Sequence, residues 1–471
     1  MPENILPIVV IGGGFSGSLT AIHLSRRLPS VPVILLEESG EAGPGLAYQG
    51  GDPSCLLNVP AGQMSAFPAE PSHFLRYAKK VLGEGVLAED FIPRRIYGTY
   101  LQECVREAQE KNPLLQVIGK RVIDVNGGED RISAKVIFHD HTSISASAVV
   151  LASGNQGSAF SGSVWASHTK SPRDPGAVAQ VEKGDDVLII GSGLTMIDAV
   201  LDLDRRGAVS TIHAISRNGL LPQAYEPTEA VDLPDLDHLP DSNLRKSIRL
   251  FRNAIREREA KGGTWRDVFA AVRSSTPSLW QELSAKDRSK FLRLVSPFWE
   301  IHRHQCPRET RDRIDALIAA GRLVLHRGTI VSVVKGEKKL KMGLAARSRK
   351  EATRWLEVDH IFDATGPARD LDSAKHPLIQ NLLRRGFLKS DAHRLGAEVS
   401  PDYRAVGRDN KPSPWLFVVG PMLRARFYEA TAVNELRLHT AALASRLETT
   451  LRNRFALEKE EHDEEEVLIL G

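Results

Sequence analysis

The chain has 471 residues, with 62 Lys and Arg against 59 Asp and Glu and a formal net charge of +3. That balance gives no electrostatic case for a nucleic-acid or membrane-surface partner, and the length suggests two or three domains. The three cysteines, Cys55, Cys104 and Cys306, are too far apart for a C-x-x-C dithiol or a local zinc site. Their scarcity, with no apolar run of membrane-spanning length and no basic, apolar leader at the N-terminus, suggests a cytoplasmic address.

The first element is the most informative. In "PIVVIGGGFSGSLTAIHL" a β-branched run, Ile8 to Ile11, suits a buried parallel strand, and Leu19, Ile22 and Leu24 continue with helical periodicity. Between them Gly12, Gly14 and Gly17 fall in G-x-G-x-x-G spacing, with Phe15 and Ser16 opening the helix. The first glycine permits the tight turn, the second lets a pyrophosphate approach the backbone, and the third lets helix pack on strand. The next strand, "VPVILLEES", ends in Glu37, about twenty residues on, where a carboxylate accepts hydrogen bonds from ribose hydroxyls. The pattern predicts a bound adenine dinucleotide; a ligand-free βαβ unit is the plainer alternative.

Further along, "FIPRRIYGTYL" (91 to 101) places Arg94, Arg95 and Tyr97 before a helix, and "LLQVIGKRVIDVNGG" with "RISAKVIFHD" suggests an inserted β-meander. "ASAVVLASGN" is a strand running to Gly154. A second fingerprint follows in "VLIIGSGLTMIDAVLDL": Gly191 and Gly193 lead into a helix opened by Leu194 and Thr195, with Met196 in place of the third glycine. Its next strand ends not in an acid but in Ser216-Arg217, which suits a 2′-phosphate and favours NADPH over NADH. The alternative is that Arg217 is simply solvated. Two such units in one chain suggest a flavin in the first and a nicotinamide in the second.

Residues 226 to 306 read as a helical insertion, opening on an acidic, proline-rich stretch. It carries an apolar stripe of Leu244, Ile248, Phe251 and Ile255 and candidate caps at Thr264 with Asp267 and Ser284 with Asp287. Its end, "PFWEIHRHQCPRE", is dense in cationic and aromatic groups within about three helical turns. His302 and Arg303 are the candidates there to hold an anionic substrate or the nicotinamide phosphates, against a solvated face with one core tryptophan. No carboxylate or cysteine joins these histidines at convincing ligand spacing, so no metal is expected. "VDHIFDATGPA" then runs to Gly366 and "SPWLFVVGPM" to Gly420. "FYEATAVNELR" enters the last helix at Ala432, and the tail from 451 is charge-dense and expected to be irregular.

"GPGLAY" (43 to 48), "LLNVPAGQMSAFP" (56 to 68), "GSGLTMIDAV", "SRNGLLP" and "FYEATAVNELR" together make the chain resemble the YdhS-like FAD-NAD(P)-binding flavoproteins. The resemblance implies FAD in the first unit and a nicotinamide cofactor in the second. It also sets Arg95 near the flavin ring and aims the last helix's N-terminus at the isoalloxazine carbonyl. "LLNVPAGQMSAFP" is similar to a region of class B flavin monooxygenases, which implies that Asn58 faces the flavin; structurally, Asn58 would cap its loop. The linker "FSGSVWASH" departs from those enzymes' F-x-G-x-x-x-H motif by two extra residues, so His168 reads as an ordinary surface histidine.

The expected architecture is α/β, with two Rossmann-like dinucleotide-binding domains and a helical cap. The FAD-binding domain is assigned to 1–160 and 356–450, the NAD(P)H-binding domain to 161–225 and 307–355, the cap to 226–306 and the tail to 451–471. The expected function is NAD(P)H-dependent flavin oxidoreduction, led by monooxygenation of a small molecule at N or S. The alternatives are a reductase serving an organic acceptor or partner protein, and a non-catalytic redox sensor. Self-association is left open.

Overall fold

A computed structural model describes residues 5–49, 55–130, 132–158, 165–174, 176–207, 209–233, 243–346 and 351–469. Ile8–Ile11 is buried along its whole length because it lies mid-sheet, with Val33–Leu36 on one side and Ala148–Leu151 on the other, both parallel. The six strands run, in spatial order, Arg404–Val406, Pro412–Val418, Ala148–Leu151, Ile8–Ile11, Val33–Leu36 and Leu115–Ile118. Only Arg404–Val406 pairs antiparallel. The chain builds outward from Ile8–Ile11 in one direction, then returns to its other side, which leaves a crevice at the carboxyl ends of Ile8–Ile11 and Ala148–Leu151. The helix Phe15–Arg27 covers the sheet and is itself covered by the last helix, Val433–Ile469.

The second sheet repeats the plan with four parallel strands, ordered Leu323–Arg327, Val209–Ser216, Asp185–Ile190 and His360–Asp363. Each unit also carries a three-stranded antiparallel meander between its third and fourth core strands. The first is Val122–Gly127, Ala134–Phe138 and Ser143–Ala146; the second is Thr329–Lys335, Leu340–Ala345 and Arg354–Val358. The helical insertion occupies the connection between the second and third strands of the second unit, where the first unit carries the helices His73–Leu82 and Arg94–Lys111. Outgoing and returning linkers pair with each other, Gln156–Ser158 against Pro367–Ala368.

Several expectations change. Residue 356 does not open the return to the first domain: Arg354–Val358 belongs to the second meander, and His360–Asp363 bonds to the second sheet. Leu115–Ile118 joins the first parallel sheet, so that meander starts only at Val122. Arg94, Arg95 and Tyr97 lie within a helix, not before it. The helix from Val433 carries the backbone of the acidic tail to Ile469, where composition suggested irregular chain. The linker residues 159–164, which include Phe160, lie outside the described residues; His168 is exposed on a short 3₁₀ turn.

Thr264 and Asp267 form a reciprocal capping box on Trp265–Val272, and Ser284 caps Ala285–Lys290. Inside the insertion Phe251, Trp265, Phe269, Trp299 and His302 pack ring on ring. Among the described residues no helix is long and apolar enough to cross a membrane.

The two glycine loops differ in what they tolerate. A Cβ on Gly17 would lie 1.8 Å from the Gly12 carbonyl oxygen, whereas one on Gly193 meets nothing within 4 Å. Gly17→Ala should therefore destabilise the chain by about 3 kcal/mol through overpacking against rigid backbone, read as an earlier urea midpoint. Gly193→Ala, at an ordinary φ of −88°, should leave that midpoint within error.

Candidate functional site

At the first loop the backbone is folded onto itself. Gly12 has φ +104°, and a Cβ there would meet the Ala152 carbonyl oxygen at 2.5 Å, so only glycine fits where strand one turns beside strand four. The "GPGLAY" turn presses on the loop from outside: the Gly43 amide donates to the Gly13 carbonyl at 2.7 Å, and a Cβ on Gly45 would lie 2.8 Å from Gly14 Cα. Glu37 reaches back from its strand, and its Oε2 accepts the Gly13 N–H at 2.7 Å. Phe15 and Ser16 open the helix and are buried, and Gly420 (φ +91°) passes against the Ser16 side chain. Gly154 also takes a positive φ, +66°. Thus Gly12, Gly14, Phe15, Ser16, Gly17, Glu37 and Gly420 are brought together.

Nearby, Tyr97 is fully buried against Phe15, Tyr48 and Phe74, yet its hydroxyl has no hydrogen-bond partner among the described residues. Asn434 Oδ1, on the second residue of the last helix and just beyond Ala432 at its cap, is likewise buried without a partner among the described residues. Buried polar atoms normally find partners. A glycine cradle with orphaned hydroxyl and amide atoms beside it fits a polar cofactor such as FAD. Arg95, by contrast, is exposed at the second position of its helix.

It is Arg94 that reaches inward. Its Nε donates to the Leu56 carbonyl at 3.0 Å and its Nη2 lies 3.1 Å from Asp198 Oδ2, on the helix Leu194–Arg206 of the second unit. Arg94 thereby ties the loop bearing Asn58 to the second unit. The same loop is held by the Leu57 amide on the Ile92 carbonyl (2.9 Å) and, farther on, by Arg437 on the Ser65 carbonyl (3.1 Å). Asn58 is half-buried in this wall.

The second loop repeats the first. Gly191 has φ +115°, and a Cβ there would meet the Ala364 carbonyl oxygen at 2.3 Å; Gly366 follows with φ +88°. Met196 is fully buried where the first unit has Gly17. Ser216 Oγ lies 2.8 Å from Ser192 Oγ and accepts the Gly219 N–H at 3.0 Å. Arg217 is exposed at the strand's end. Its neighbour across the sheet is Arg327, also exposed, the register partner of Ser216. Arg327 escapes a sequence reading because 110 intervening residues hide the pairing; only the parallel register reveals it.

The cluster at 297–309 is not one helix. Ser296–Arg303 ends at Arg303, Cys306 bridges to Ala224, and Arg308 starts another helix. Arg303 is no free anion binder: it is buried and ion-paired with the still more deeply buried Glu429. It also donates to the Glu429 carbonyl (3.1 Å) and to Thr431 Oγ1 (3.2 Å). Trp299 Nε1 donates to Glu429 Oε1 at 3.0 Å, and Arg273 pairs with Glu435. His302 sits edge-on to Trp265, with Nδ1 2.7 Å from the Phe298 carbonyl. Glu300 binds Arg424, Tyr428 and His304. Burial alone would raise the Glu300 pKa, but Arg424 and His304 more than offset it and hold the carboxyl well below its usual range. Tyr428 has φ +52°, a strained conformation for a non-glycine residue. This charge bank pins the insertion to the segment leading into the last helix.

Residues 9–156 match the family model described as FAD-NAD(P)-binding. No curated protein matches the chain. Among solved structures, the chain is similar to an ornithine hydroxylase from Pseudomonas aeruginosa in its reduced form (17% identity, 95% of this chain, 100% of that one, TM-score 0.65). It is also similar to L-lysine 6-monooxygenase from Pseudomonas syringae (18%, 95%, 99%, TM-score 0.64). A third is the ornithine N-hydroxylase of Kutzneria sp. 744, determined with reduced FAD, NADP⁺ and L-ornithine (16%, 96%, 100%, TM-score 0.58). At these identities the likeness is one of fold, two Rossmann-type units with added helices.

Arg303→Ala should strand Glu429 as an uncompensated buried charge and cost about 3–5 kcal/mol, seen as a large fall in melting temperature. Arg217→Ala, on the surface, should move stability by less than about 0.5 kcal/mol.

Proposed function

We propose that this chain is an FAD-dependent NADPH oxidoreductase that hydroxylates a small molecule at nitrogen or sulfur. The observation that carries the reading is the duplication itself. Two glycine loops sit at two switch points; the first is answered by a carboxylate, Glu37, and the second by Ser216, Arg217 and Arg327. Glu37 suits unmodified ribose hydroxyls; the hydroxyl with two guanidiniums suits a 2′-phosphate. In this reading Gly12, Gly14, Phe15, Ser16 and Gly17 hold the FAD pyrophosphate, with Gly154, Gly420 and Ala432 close to the flavin. Gly191, Gly193, Leu194, Thr195 and Gly366 hold that of NADPH. FAD held there would supply the redox chemistry, as a hydride acceptor from the reduced nicotinamide and an electron donor to oxygen.

The protein's own contribution is position and exclusion of water. Asn58 lies in the wall that Arg94 fixes, and is assigned to orient the substrate or oxygen. The insertion, pinned through Arg303, Glu429, Arg424 and Glu300, roofs the site. His302 and Arg303 are thereby reassigned from substrate contact to positioning. The similar fold of the ornithine and lysine hydroxylases supports a small amine as substrate.

A reductase serving disulfides is disfavoured by the thiols. Burial pushes Cys55 and Cys306 up to about 11 and Cys104 up to about 12, so none is a ready thiolate. The test follows NADPH oxidation, oxygen uptake and product mass with a panel of primary amines and thioethers. Substrate-stimulated oxygen uptake with product gaining one oxygen atom is expected. NADPH oxidation that needs an electron acceptor other than oxygen would select the reductase, and a yellow protein inert to NADPH the redox sensor. Arg217→Ala should raise KM for NADPH by about 10- to 100-fold, from one lost charge-assisted contact, and leave that for NADH unchanged.

A further inference from the structure

We propose that Arg173, on the linker between the two units, clamps the pyrophosphate of the nicotinamide cofactor onto the second glycine loop; this rests on the second unit being the nicotinamide site. The linker is not loose at this point. Lys170 is sewn to the edge of the second sheet, its amide donating to the Ile361 carbonyl (3.1 Å) and its carbonyl accepting the Asp363 amide (2.9 Å). A closed turn follows: the Ser171 amide donates to Asp174 Oδ2 (3.1 Å) and the Arg173 amide to Ser171 Oγ (3.2 Å). This sets the turn that bears Arg173 directly after the pairing with His360–Asp363, the strand that runs on to Ala364, which Gly191 turns against. The carboxyl end of that strand is the crevice side of the switch point, where ligands of this fold lie.

From its turn Arg173 Nη2 donates to Thr195 Oγ1 at 3.0 Å, over the first turn of the helix Leu194–Arg206. The opening amides of any helix lack intrahelical partners and carry partial positive charge. The space at Gly193 is open. Arg173 forms no ion pair among the described residues. Asp198, the carboxylate at hand, is paired with Arg94. Arg173 is exposed, yet burial and then Arg94 lower its pKa, as for a side chain in a concave cleft. An accessible guanidinium whose partner is a neutral hydroxyl, poised over a helix N-terminus, is complementary to a diphosphate.

A clamp on the pyrophosphate treats NADPH and NADH alike, unlike a residue reading the 2′-phosphate. The experiment titrates NADPH and NADH separately into the purified full-length flavoprotein by isothermal calorimetry, for wild type, Arg173→Ala, Arg173→Lys and Arg217→Ala. Arg173→Ala should raise Kd for both nucleotides about tenfold, with part of the loss recovered by lysine, while Arg217→Ala weakens NADPH alone. Unchanged binding of both nucleotides by Arg173→Ala would overturn the clamp and leave the nicotinamide site standing, provided Arg217→Ala still discriminates. Weakening of NADPH alone would also overturn it, by moving Arg173 to the 2′-phosphate. Wild-type protein that binds neither nucleotide would overturn both the clamp and the reading beneath it.

Discussion

Everything in this molecule depends on two points where a buried parallel strand must end and turn at once, hard against the carbonyl of its neighbour. At both points side-chain atoms are excluded. The Gly12 position is filled by the Ala152 carbonyl and the Gly191 position by that of Ala364, and both glycines take positive φ. Because the turn is that tight, the following helix starts directly above the crevice, with its free amides aimed into it. Fold and the proposed phosphate site are thus one constraint: a residue that relaxed the turn would move the helix and dissolve the site.

The two units solve the same problem with different tolerances. In the first, Gly17 lets the helix settle onto the loop, and the "GPGLAY" turn and Glu37 close around it. In the second, Met196 fills that place and the loop stays open at Gly193. A tightly enclosed cradle suits a cofactor that stays bound, and an open one a cofactor that exchanges each cycle. The packing therefore agrees with the assignment that chemistry suggests from Glu37 on one side and Ser216 with Arg217 on the other.

The strands, glycine loops and helix starts were legible because they are written in short windows: a β-branched run, a fixed glycine spacing, then apolar residues at helical period. The alternation of the second meander is present in "TIVSVVKG", but "VDHIFDATGPA" reads on its own as a cofactor-side strand of the first unit, which sets the boundary too early. Arg94 and Arg95 are adjacent, and sequence had no means to tell which faces inward; helix phase set by Tyr97 and Leu101 in the core decides for Arg94. The cationic run near His302 and Arg303 reads as a surface because its counter-charges, Glu429 and Glu435, lie more than 120 residues away. Composition marks charge, but only tertiary pairing says whether that charge is spent.

That distinction bears on what the insertion does. A cap resting on its neighbour by apolar contact alone could slide; this one is keyed by a buried Arg303–Glu429 pair and an Arg424–Glu300–Tyr428 group around a strained residue. Ion pairs of this kind add little net stability compared with apolar packing, but a mismatch among them is costly, so they select one docking geometry over its near alternatives. The segment they fix, 428 to 435, leads into the last helix, which packs on the helix that follows the first glycine loop. For the proposed chemistry, precision there is worth more than stability, since a reacting centre misplaced by an ångström loses most of its rate. The insertion is best understood as the means by which the second unit sets the position of the first unit's last helix.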